Sequence, residues 1–142
     1  MWDKTKKIKW NFLNVYGAPH EEDKPEFLTE LAMMCSKNSD PYIIGGDFNL
    51  VRFSTEKNKA GIHKHSGLFN SVINSFGPID IHLCGGKYTW SNNCDTPTLE
   101  RLDRVLVDKN WESLFPTVMT YKLPREVSDH NPIILNDNTP LP

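Results

Sequence analysis

The sequence predicts an α/β sandwich. Some stretches repeat their apolar residues with the period of a strand and others with that of a helix, and the two kinds alternate without an internal repeat or low-complexity tract. Size is the third observation: 142 residues suffice for one domain with a buried core and leave no room for two.

Residues 7–17 read as a strand alternating around Ile8, Trp10 and Phe12, closed by the turn signal Gly17-Ala18-Pro19. A helix follows, with Pro25 suited to its first turn and Phe27, Leu28, Leu31, Ala32 and Cys35 at helical spacing, until Asn38-Ser39-Asp40-Pro41 stops it. Residues 42–48 form a short buried strand. The polar stretch 52–64, with Gly61, is a loop, and Leu68, Phe69, Val72, Ile73 and Phe76 restore a helical stripe that ends at Gly77-Pro78. Residues 79–83 are strand-like. Gly85-Gly86 turns the chain into a run of strand formers at 87–91, and the polar loop 92–98 leads to a strand at 102–107. Asp108-Lys109-Asn110 caps a short helix through Trp111, Leu114 and Phe115. Residues 118–123 and 131–135 are the last two strands, and the tail 136–142 is expected to fray.

Hydrophobic residues make up 38% of the chain and charged ones 24%, the balance of a globular protein, and runs such as Val105-Leu106-Val107 are too short to cross a bilayer. No membrane partner is expected. The formal charge of −2 excludes the strongly basic balance of many nucleic-acid binders, so any such binding must be local. Lysines cluster at Lys4, Lys6, Lys7 and Lys9 and at Lys57, Lys59 and Lys64, for which a solvated face is the plainer reading. Cys35, Cys84 and Cys94 are odd in number, without CxxC spacing or a secretory leader, and read as reduced thiols of an intracellular protein, nuclear or cytoplasmic. Neither a zinc site nor a disulfide-linked partner is expected.

Three polar groups need an explanation. In GGDFNL, alternation puts Asp47 and Asn49 on one face of a strand end and Phe48 on the other; turn chemistry is the bland alternative, and no phosphate-loop motif is matched. In LERLDRVLVD, Asp103 shares a face with Val105 and Val107, opposite Leu102, Arg104 and Leu106. A carboxylate on that apolar stripe needs a partner, either an ion pair with Arg101 or Arg104 or a functional group. In SDHNPI, Asp129 and His130 precede a buried strand, where an imidazole can donate to a phosphate oxygen if a carboxylate fixes its tautomer. A Ser128-Asp129-His130 triad is disfavoured, because neighbours in sequence rarely face one another productively. The remaining histidines, His20, His63, His65 and His82, lack ligand spacing.

Taken in order, NVYG, GGDFN, YTWSN, RLDRVLV and SDHNPI resemble the endonuclease/exonuclease/phosphatase superfamily, most closely the apurinic-endonuclease-like domain of plant non-LTR (LINE-type) retrotransposons. The likeness covers residues 10–135. It implies a four-layer α/β sandwich and metal-dependent phosphodiester hydrolysis, with DNA as the partner. By resemblance Asp47 orients and deprotonates the attacking water, Asn49 holds water or phosphate, and Tyr16 contacts the scissile phosphate. His130 stabilises charge on the phosphoryl oxygens, Asp103 orients His130, and Asp129 is similar to a metal-side ligand. Trp90 occupies the place of an aromatic near the substrate, although a core aromatic is the simpler reading.

Family members carry a preceding segment with an asparagine and a metal-binding glutamate, and this chain starts downstream of both. The resemblance therefore implies a single truncated domain over 1–142, the C-terminal portion only, with the N-terminal portion missing, Mg2+ or Mn2+ weakly held, and activity strongly reduced or absent. The spacing of Glu21, Glu22 and Glu26 does not support a substitute. A catalytically inactive remnant or nucleic-acid-binding module is the alternative, and a superfamily phosphatase ranks last.

Overall fold

The computed structural model describes residues 2–4, 7–61 and 63–138. Strands β1 (Trp2–Asp3) and β2 (Ile8–Lys9) form a small hairpin, followed by β3 (Asn11–Tyr16), α1 (Lys24–Lys37), β4 (Tyr42–Asp47), α2 (Ser66–Phe76), β5 (Ile79–Asp80) and β6 (Leu83–Cys84). Then come β7 (Trp90–Ser91), β8 (Leu99–Glu100), β9 (Asp103–Val107), α3 (Lys109–Leu114), β10 (Val118–Lys122) and β11 (Ile133–Asp137).

The central sheet has the order β3-β4-β9-β5, with β3 and β4 parallel and β9 antiparallel to both β4 and β5. A second sheet has the order β11-β10-β6. Side chains alternate across β4 and β9, so the central sheet is apolar on both faces. Ile44 and Leu106 pack with Leu28 and Leu31 of α1 and Phe69 and Ile73 of α2. Ile43, Val105 and Val107 face the other way, against Val118, Ile133 and Leu135 of the second sheet and Trp111 of α3. Helices, sheet and sheet thus form three successive layers of the α/β sandwich that the sequence predicts.

The structure corrects several expected boundaries. The first strand is two, because Ile8–Lys9 pairs with Trp2–Asp3 whereas pairing with β4 begins at Asn11 opposite Tyr42. Leu13 and Val15 pack toward the helices while Phe12, on the edge strand, is 52% exposed. The expected strand 79–83 also divides. Ile79 and Asp80 pair with β9 of the central sheet, and Leu83 and Cys84 pair with β10 of the second, so the chain changes sheets between them. Only Trp90–Ser91 of the run 87–91 is strand, paired with Leu99–Glu100. The last strand continues through Asn136 and Asp137, the first residues of the tail expected to fray, because Val118 pairs with Asp137; residues 139–142 lie outside the described residues.

The helix ends follow the sequence signals. Pro25 lies in the first turn of α1, and Gly77 closes α2 in the left-handed conformation (φ +75°), its N–H donating to the Ile73 carbonyl at 2.8 Å. Asp108 stands at the start of α3, but its side chain makes no capping hydrogen bond.

A buried ionic cluster backs β9. The Arg104 guanidinium, fully buried, donates to Glu56 Oε1 at 2.9 Å and Asp80 Oδ2 at 2.8 Å. Arg101 and Arg52 join the same two carboxylates, with Arg101 Nη2 and Arg52 Nη1 each 3.2 Å from Asp80. Glu56 sits in the connection between β4 and α2, so the cluster fastens that connection to the strand carrying Asp103. Cys35, Cys84 and Cys94 carry free thiols.

Candidate active site

β4 runs to its end at Asp47 while β9, antiparallel to it, begins at Asp103, and the register sets these two residues opposite each other. Paired residues share a face, so both carboxylates lie on the side of the central sheet that meets the second sheet. Like charges placed so are destabilising unless a cation stands between them.

His130 stands between them. It lies three residues before β11 and is joined to Trp90 by an isolated β-bridge, and its own N–H donates to Ser128 Oγ at 3.0 Å. Its ring Nδ1 is 2.8 Å from Asp103 Oδ2 and its Nε2 is 3.5 Å from Asp47 Oδ2. With a carboxylate as its acceptor, Nδ1 carries the proton. Burial pulls the His130 pKa down, but the hydrogen bond that Nδ1 donates to Asp103 and the charges of Asp103, Asp47 and Asp129 outweigh it and leave the pKa raised. Burial is also the largest influence on Asp47 and raises its pKa, with Asp103 adding to it, against the Asn49 N–H and the cations His130 and Lys24. The sequence alternative of an ion pair between Asp103 and Arg101 or Arg104 does not hold, because those guanidiniums are engaged by Glu56 and Asp80.

Asn49 reaches the site by a different route from strand alternation. β4 has ended, and Asn49 takes a left-handed backbone (φ +52°) that turns its N–H onto Asp47 Oδ1 at 2.8 Å and its Nδ2 onto the Gly17 carbonyl at 2.8 Å. Phe48 points the other way, fully buried between Phe27 and Phe69. Gly17 lies so close that a Cβ there would come within 2.1 Å of the Phe48 carbonyl oxygen. Tyr16 pairs with Asp47 across the parallel strands and is 74% exposed. Asp129, its side chain 53% exposed, has Oδ1 3.9 Å from His130 Nε2, and its Oδ2 accepts the Trp90 indole N–H at 3.1 Å. Trp90 is therefore half-buried beside the site and not in the core.

Two positioning groups escape the sequence reading. Thr89, fully buried, accepts the N–H groups of both Leu102 and Asp103 on its hydroxyl oxygen, each at 3.0 Å. Lys24, only 7% exposed, donates to the Asn49 carbonyl and pairs with Glu21 at 3.5 Å. Thr89 stands in a run of strand formers and Lys24 just before a helix-starting proline, where neither residue type is unusual. Of the lysine clusters, Lys57 pairs with Glu100 at 3.8 Å, Lys59 donates to the Thr96 carbonyl at 2.8 Å, and Lys6 lies outside the described residues. A cavity of about 600 Å³ opens beside Asn49 and Trp90, lined also by Lys24, Lys57 and Glu100.

Asp47, Asp103 and His130 each offer a ligand atom within 4.8 Å of the others. The carboxylates of Asp47 and Asp103 supply oxygen donors to this group, and Asp129 Oδ1 lies 3.9 Å from His130 Nε2 beside it. Hard oxygen donors of this kind fit a hard divalent cation that keeps several waters.

Residues 3–130 match the profile of the Endonuclease/Exonuclease/phosphatase family. No curated protein sequence matches the chain significantly. Among solved structures, the endonuclease domain of TRAS1, a telomere-specific non-LTR retrotransposon, superposes with a TM-score of 0.67 at 15% identity over 87% of this chain and 55% of that one. A 3′-5′ exonuclease, NExo, from Neisseria meningitidis gives 0.68 at 17% identity over 89% of this chain and 60% of that one. The Neisseria 3′ phosphatase NExo bound to a product DNA hairpin gives 0.69 at 16% identity, with the same coverage of 89% and 60%. At such identities the likeness is one of fold. The chain spans 55% of the first of these structures and 60% of the other two.

Proposed function

The chain belongs to the endonuclease/exonuclease/phosphatase family, and from that membership we propose that it is a metal-dependent phosphodiester hydrolase of the nuclease type, acting on DNA. The observation that carries the reading is the single imidazole held between two carboxylates of adjacent strands.

Asp47 is the general base. Burial raises its pKa, which makes the carboxylate a stronger base toward water, and Asn49 fixes its other oxygen and steadies the turn around it. As Asp47 takes its proton, the water oxygen attacks phosphorus in line with the leaving oxygen, the opposite P–O bond breaks, and the departing alkoxide takes a proton from solvent. His130, protonated and oriented by Asp103, donates from Nε2 to a phosphoryl oxygen as negative charge builds there. Tyr16 reaches the same phosphate from the neighbouring strand. Asp129 and Asp47 are the residues that would hold Mg2+ or Mn2+, which supplies Lewis-acid stabilisation of the phosphoryl oxygens when bound.

A cation held by one or two carboxylates keeps several waters. The fold likeness to a retrotransposon endonuclease domain, together with the ordered GDFN, RLDR and SDHNP motifs, supports an origin in a LINE-type element. The second reading is a module that binds nucleic acid without cutting it.

Supercoiled plasmid separates the two. The first reading expects nicking with Mg2+, none with EDTA, and none by Asp47→Ala or His130→Ala; equal rates for wild type and both variants reject it.

A further inference from the structure

A smaller pocket, about 300 Å³, lies next to the site, lined by Tyr88, Trp90, Lys122, Arg125 and Asn131 among others. The segment that carries His130 also builds this pocket. Asn131 donates its N–H to the Thr89 carbonyl at 2.7 Å and its Nδ2 to the Leu123 carbonyl at 3.0 Å, and Arg125 Nη1 reaches the Asp129 carbonyl at 3.4 Å. Trp90 borders both this pocket and the larger cavity at Asn49.

The charge in the pocket is of one sign. Lys122 and Arg125 are its ionisable cations and no carboxylate lines it, and among the described residues neither cation forms an ion pair. Glu126, which follows Arg125 in the chain, does not line the pocket and forms no ion pair among the described residues, and Asp129 is turned to the Trp90 indole and His130. Lys122 is half-buried, and the bare backbone of Gly86 makes room for its amine: a Cβ there would lie 3.1 Å from Nζ. Lys122 and Arg125 line the same concave space, so an anion entering it meets positive charge from both. A phosphate group answers both, since guanidinium grips its oxygens in pairs and ammonium adds a point charge. The Tyr88 hydroxyl is a further donor, and the Trp90 ring offers a face for a base.

We propose that this pocket binds a second phosphate of the nucleic-acid strand, adjacent to the one presented to Asp47 and His130. The proposal rests on the nuclease reading, deepens it, and makes Lys122 and Arg125 the residues that set the strand's path past Trp90.

The test is fluorescence anisotropy of a labelled DNA oligonucleotide with the full chain in EDTA, across a salt series, so that no cleavage is needed. Each phosphate contact contributes roughly one unit to the slope of log affinity against log salt. Arg125→Gln, on an exposed loop, is expected to lower that slope by about one, and with Lys122→Gln added by about two, with a loss of affinity on the order of tenfold or more at low salt. Arg125→Lys should restore most of the slope. An unchanged slope in Arg125→Gln and in the double variant overturns the proposal, as does a wild-type chain that does not bind. Plasmid nicking measured in parallel separates the two claims. Binding that responds to Arg125 without any nicking rejects the hydrolase reading alone, and nicking with an unresponsive slope rejects the pocket alone.

Discussion

His130 Nδ1 lies 2.8 Å from Asp103 Oδ2, a pairing made between the segment entering one sheet and the first residue of a strand in the other. The hydrogen bond fixes which ring nitrogen faces Asp47, and the carboxylate raises the imidazole's proton affinity.

Asp103→Asn therefore attacks both tautomer and charge. Cleavage by that variant should fall by about 10²–10⁴-fold, the usual range for a disabled acid–base pair. Because Asp103 holds the His130 pKa up, the alkaline limb of the pH–rate profile should move to lower pH. A profile with an unmoved limb would place the charge on another group.

The same raised pKa makes a stability prediction for the metal-free protein. A histidine that binds its proton more tightly when folded contributes stability that is fully present below its unfolded pKa of about 6.5. That contribution disappears as pH rises through the higher folded value. The gap in melting temperature between wild type and His130→Asn in EDTA should be largest near pH 6 and close as the solution becomes alkaline. A gap that widens with pH would contradict the arrangement.

Thr89→Val keeps the shape of the side chain and removes the oxygen that accepts from Leu102 and Asp103. Each N–H left without a partner costs about 1–3 kcal/mol. Denaturant unfolding should show a loss in that range or above, and cleavage should fall as Asp103 shifts. Thr89→Ser, which retains the hydroxyl, should recover most of both.

Gly17→Ala puts a methyl where the Phe48 carbonyl already stands, and overpacking of this kind costs about 1–3 kcal/mol. The Gly17 carbonyl also receives Asn49 Nδ2, so the displacement should pass to the turn at Asp47 and reduce cleavage more than stability alone explains. Activity measured well below the variant's melting temperature isolates that part.

Much of this site is legible in the sequence because its chemistry sits in short runs. Asp47 ends one apolar strand and Asp103 interrupts the stripe of another, where a polar side chain must find a partner, and His130 stands just ahead of a third strand. The helices are legible for the same reason of period, down to Gly77 as the stop of α2. What alternation alone could not give is the conformation of Asn49, whose left-handed backbone bends it back to Asp47. Nor could it give the exchange of sheets between Asp80 and Leu83, since both halves read as one strand and only long-range pairing divides them. Thr89 and Lys24 were hidden differently: their roles depend on a neighbour's backbone group, and the sequence carries no mark of that. Arg104 pairs with Glu56 and Asp80, and not with Asp103 one position away, because it takes the opposite face of β9, whereas Arg101, two positions before Asp103, lies outside the strand and reaches the same carboxylates.

Asp47 and Asp103 ride on one sheet and His130 arrives with the other, so the 3.5 Å between His130 and Asp47 is set by how firmly the two layers are pressed together. Ile43, Val105, Ile133 and Leu135 are thus the clamp that calibrates the chemistry. A slip between the layers would leave every strand intact while parting His130 from Asp47, so on warming that contact is expected to open before the strands do.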